Sequence, residues 1–142
     1  MKKLMFFLVL DLFFHSCIRE NTSTEDLMEM APENAELTYS GKFFKGPYGS
    51  NVGGNAEIYK KNDVYSLVFD AAFSVSNGPD LYVYVSKEQQ PETFISLGKL
   101  KSVNGGQVYT FTSAPDFDSY RYVVVHCQQY NHLFAYSLLQ KK

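Results

Sequence analysis

The sequence has no tryptophan, only two cysteines and three histidines, and no apolar run long enough to cross a bilayer as a helix. Charge of either sign is also scarce. Thirteen Lys and Arg stand against fifteen Asp and Glu, a net charge of −2, which argues against nucleic acid as a partner. After the first twenty residues the imidazole and thiol ligands reduce to His126, His132 and Cys127. A closed zinc site wants four ligands. Asp80, Asp116 and Asp118 sit beside prolines or in turns, where local capping is their ordinary role, so no metal site is expected. Covalent haem is not expected because C-x-x-C-H is missing, while non-covalent haem through His126, His132 or Cys127 stays open. G-x-S-x-G, H-E-x-x-H, G-x-G-x-x-G and G-K-[ST] are all absent, so neither a hydrolase nor a phosphate-binding loop is expected.

What the chain does have is aromatic residues, 12 Phe and 11 Tyr. Together with the β-branched residues they favour sheets over helices. The N-terminus reads MKKLMFFLVLDLFFHSC. Lys2 and Lys3 form a positive start, Leu4–Phe14 an apolar stretch, and the small Ser16 precedes Cys17. This resembles a bacterial lipoprotein signal peptide over residues 1–16, with Cys17 carrying the lipid; the other reading is an ordinary secretory signal. The first reading places the domain in the cell envelope, periplasmic or on the cell surface, and held to the membrane by lipid. It also leaves Cys127 without a disulfide partner. Residues 17–36 are polar and acidic and read as a flexible tether.

From Leu37 to Lys142 the pattern is strands and turns. Leu37–Phe44 is an entry strand, and the glycine-rich Lys45–Asn55 is a loop long enough to be functional. Ala56–Lys60 and Val64–Val75 flank a hairpin turn at Lys61, Asn62 and Asp63. Asp80–Ser86 follows a turn at Ser76–Pro79. Thr93–Val103 and Gln107–Thr112 flank Asn104, Gly105 and Gly106, which read as a hairpin turn. Tyr120–Gln128 and Leu133–Gln140 complete the set. About eight short strands at this spacing predict an all-β fold, a single antiparallel sandwich or barrel.

Tyr120–Gln128 holds the longest β-branched run. Val123, Val125 and Cys127 share one face, and Tyr122, Val124 and His126 share the other. Both faces are apolar, which predicts a central strand, and parity keeps His126 and Cys127 apart. Cys127 reads either as a redox thiol or as a small buried hydrophobe. If Gln128–Asn131 closes a hairpin, His132 faces Cys127 with Cβ atoms roughly 5 Å apart. His132 is then a possible thiolate partner or simply an exposed loop residue. Asp80 reads as a carboxylate accepting backbone N–H bonds at a strand entrance. Tyr82 and Tyr84 read as a sugar-stacking face or as a cover for the sheet.

Three segments together resemble the DM13 domain. They are NGPDLYVYVS at Asn77–Ser86, LGKLKSVNGGQVY at Leu97–Tyr109, and Tyr122–Cys127 with Phe134–Leu139. The resemblance runs over Leu37–Leu139. Asn51 stands in the glycine-rich loop where the family often carries a histidine, and Ala135 and Ser137 replace the small Gly and Ala of the closing motif. The resemblance implies a β-rich domain related to DOMON domains, which bind haem or sugars. It also implies electron transfer through a bare thiol or a prosthetic group, with Cys127 matching the family cysteine and a redox protein as partner. The competing expectation is a non-catalytic module that binds carbohydrate or a protein through Pro47–Gly54 and the tyrosine face.

Overall fold

A computed structural model describes residues 21–142. The expected signal peptide and the lipidated Cys17 lie outside the described residues. Ten strands follow in order: β1 (Ser23–Met28), β2 (Glu36–Lys45), β3 (Asn55–Lys61), β4 (Val64–Phe69), β5 (Leu81–Ser86), β6 (Phe94–Lys99), β7 (Ser102–Thr110), β8 (Tyr122–Cys127), β9 (His132–Leu138) and β10 (Gln140–Lys141). There is no helix among the described residues. The β3–β4 turn forms as expected. Asn62 and Asp63 hold φ of 48° and 63°, the left-handed values that a two-residue hairpin loop demands.

The strands make one sheet in the order β1-β7-β4-β3-β2-β9-β8-β5-β6, with β10 beside β2. β2 is shared. Its first part pairs with β3, and Phe43–Lys45 pair with β9. A Cβ at Gly41 would run into the carbonyl of Leu138, so a glycine is needed where the strand passes from one leaf to the other. The two leaves share one core. Phe43 meets Phe69 and Phe73 at ring separations of 4.9 and 5.1 Å. Ile58 and Leu67 from one leaf and Val83, Val85, Val123 and Val125 from the other complete it, all fully buried. The path ends in two edges, β1 and β6, so the sheet is folded but not closed into a barrel. β8 lies inside the second leaf between β9 and β5, as its two apolar faces predict.

Three expectations need correction. The sheet is mixed, because β1 runs parallel to β7. The tether therefore does not extend through residue 36; Ser23–Met28 is an edge strand. Polar bonds hold it, which is why hydropathy does not reveal it. Ser102 Oγ donates to the carbonyls of Ser23 and Glu25, and Asn104 Nδ2 donates to that of Thr24. Just beyond, Glu29 Oε2 accepts from Lys101 Nζ and from the Val108 amide, both at 2.7 Å. Finally, Asn104–Gly106 is not a turn. It lies within β7, and a Cβ at Gly105 or Gly106 would strike the backbone of Leu27 or Glu29. These glycines serve the close approach of β1.

Candidate functional site

Cys127 is the last residue of β8. It is fully buried in the main core and is a free cysteine. Its neighbours across the ladders are Leu81 on β5 and His132 on β9. The hairpin register thus brings Cys127 and His132 to opposed positions. No side-chain hydrogen bond joins them among the described residues. The His132 ring instead lies flat on Tyr48, with centroids 3.6 Å apart and planes within 4°. Tyr130 flanks the same imidazole at 5.9 Å.

Three loops meet at this end of the sandwich. The glycine-rich loop is laid along β9 by its backbone: Gly46 N–H donates to Phe134 O at 2.8 Å and Tyr48 N–H to Leu133 O at 3.2 Å. A Cβ at Gly46 or Gly49 would collide with those same carbonyls, so the loop can lie this close only as glycine. Ser50 and Ser76 exchange two hydrogen bonds of 2.8 and 2.9 Å, which tie in the turn before β5. Gln128 N–H, from the β8–β9 loop, donates to Asp80 O at 3.1 Å. Asp80 sits at φ 56°. It contributes a left-handed backbone and a carbonyl rather than the expected carboxylate; aspartate tolerates this geometry better than most residues. Tyr48 lies within the Pro47–Gly54 segment expected to bind a ligand, but its stacking on His132 was not legible. Its only sequence signal is a tyrosine between two glycines in a loop.

The other face of β8 carries His126, whose cross-strand neighbours are Tyr82 and Leu133. His126 is 4% exposed. Its Nε2 lies 3.0 Å from Asn131 Oδ1, an acceptor, and 3.5 Å from Gln90 Nε2; we assign the ring proton to Nε2 on the shorter contact. Nδ1 is then a buried acceptor with no partner. Burial holds the imidazole pKa below its ordinary value; the Asn131 bond opposes this and His132 adds to it. Tyr84 is 1% exposed and stacks on Phe94 at 4.1 Å, so its ring is not open to a sugar. Burial also raises its phenol pKa. Tyr82 lies 6.1 Å from Tyr84 and is half-buried.

His126 and Cys127 do not fit a haem as they stand. His126 Nε2 is occupied by Asn131, Nδ1 is enclosed, and the Cys127 sulfur has no exposed surface. A cleft of about 640 Å³ runs between β6 and Thr110–Tyr120, and two smaller ones lie elsewhere. None of these three is lined by Cys127, His126 or His132. No cluster of three His, Cys, Asp or Glu side chains suited to a metal occurs among the described residues.

Residues 44–139 match the family model of the electron-transfer domain DM13. The chain belongs to the DM13 family. The matched range covers well over half of the chain and includes all three converging loops and the β8–β9 hairpin. No curated protein and no solved structure matches the chain. A redox-related role follows from membership. The DM13 match begins inside β2, so the parallel strand β1 lies outside the matched range.

Proposed function

We propose that this DM13 domain carries single electrons through Cys127, outside the cytoplasm, on a lipid anchor at Cys17 and in exchange with a redox protein. The observation that carries the reading is the placement of Cys127: fully buried, at the end of β8, opposed to His132. Thiol–disulfide exchange needs a thiolate that another sulfur can reach. A sulfur with no exposed surface is closed to that chemistry, whereas electron transfer needs no contact with solvent. Oxidation then breaks the S–H bond. One electron leaves to a metal-centred one-electron oxidant on the partner, and the proton passes to His132, the imidazole across the ladder. A reduced one-electron carrier later returns the electron, and the proton restores the thiol.

The test uses the full chain with photo-oxidised tris(bipyridine)ruthenium as the one-electron acceptor. Mass spectrometry of the peptide carrying Cys127 reads the outcome. The expected result is loss of the Cys127 thiol in proportion to the electrons withdrawn. An intact Cys127 after several electrons have been withdrawn per molecule would overturn the reading.

A further inference from the structure

We infer that Tyr48 is the surface port through which Cys127 exchanges electrons, with His132 as the link between them; this rests on the function just proposed. Tyr48 is 55% exposed, yet its ring is fixed face to face on His132. An exposed aromatic ring normally finds its own place on a surface. Here the backbone on both sides is pinned. Gly46 and Tyr48 each donate a hydrogen bond to β9, and Gly49 N–H donates to Gly46 O at 3.3 Å. Gly46 and Gly49 are both residues whose side chains would push the loop off β9. The whole G-P-Y-G segment therefore has one geometric result: a phenol reachable from solvent is stacked on the imidazole opposed to the buried sulfur. Tyr130 is similarly exposed and near the same imidazole, but it is tilted by 31° and not stacked.

The route balances. The oxidant takes one electron from the Tyr48 phenol, whose proton goes to water. The tyrosyl radical takes an electron from Cys127 across His132 and recovers a proton from water. The Cys127 S–H bond breaks and its proton passes to His132. The net change is one thiol oxidised to a thiyl radical, one acceptor reduced and one proton released from the thiol.

The test is the rate of Cys127 oxidation by photo-oxidised tris(bipyridine)ruthenium in the wild type, Tyr48→Phe and Tyr130→Phe. Phenylalanine keeps the stacked ring and removes the oxidisable phenol, and thermal melting verifies that each variant is folded. We expect Tyr48→Phe to slow Cys127 oxidation by about tenfold and Tyr130→Phe to leave it unchanged. Equal rates in the wild type and Tyr48→Phe, with Cys127 oxidised in both, would overturn the port while leaving the proposed function intact. Absence of Cys127 oxidation in the wild type would remove both.

Discussion

Gly49 lies so close to the carbonyl of Phe134 that a methyl group at its α-carbon would overlap the β9 backbone. The contact fixes the height of the glycine-rich loop above β9, and with it the seat of Tyr48 on His132. Gly49→Ala must lift the loop or distort the strand. We expect a loss of about 1–3 kcal/mol in chemical denaturation. The His132 ring protons should also lose the ring-current shift of the stacked phenol in NMR. Gly53→Ala is the comparison, since its Cβ would meet the Ser74 hydroxyl at 3.2 Å and the Ala72 carbonyl at an ordinary 3.5 Å. It should cost less and leave the stack in place.

Burial of Cys127 sets its reactivity toward reagents. A bulky disulfide reagent or oxidised glutathione should leave Cys127 unmodified in the native protein and modify it fully in denaturant. Labelling in native buffer should follow the opening of β8 from the core rather than reagent concentration. Peptide mass spectrometry separates this from any reaction at Cys17.

His126 makes stability depend on pH in a defined direction. Its pKa in the folded protein is lower than the ordinary imidazole value of 6.5, first because it is buried. The unfolded chain therefore binds the proton more readily. The contribution is fully present above pH 6.5 and is lost as pH falls toward the lowered folded value. Urea midpoints of the wild type should decline over that window, and His126→Gln should decline less. Parallel curves would contradict the assignment.

The edge strand β1 predicts a further outcome. Removing residues 1–30 deletes β1, the Glu29–Lys101 ion pair and the Glu29 bond to Val108, and uncovers the edge of β7. The ion pair is exposed and on its own contributes at most about 1 kcal/mol. The larger effect is the unpaired strand edge. We expect a lower melting temperature and self-association in sedimentation. A monomer as stable as the full chain would show β1 to be dispensable.

The parts of this molecule that were legible follow from side-chain alternation. Val123–Val125 are apolar on both faces, and that pattern placed β8 inside the sheet. Counting across Gln128–Asn131 placed His132 opposite Cys127. What alternation cannot express is backbone approach. Gly105 and Gly106 look like a turn in sequence because turns and close contacts both select glycine. Only the position of Leu27 and Glu29 distinguishes the two. Ser23–Met28 carries almost no buried side chain; Met28 is 88% exposed. Its pairing through main-chain and Ser102 bonds leaves no mark on hydropathy. Tyr84 reads as a surface ring in sequence and is covered because Phe94, on the adjacent strand, folds over it. Tyr48 gains its place from Gly46 and Gly49 touching β9, a relation across more than eighty residues.

In the proposed function the enclosed sulfur of Cys127 hands an electron outward to the surface. The most direct test is the lifetime of the tyrosyl radical after flash oxidation, followed by transient absorption in the wild type and in Cys127→Ala. A short-lived radical is expected in the wild type, as the sulfur refills it, and a persistent one in Cys127→Ala. Identical lifetimes in two folded proteins would contradict it.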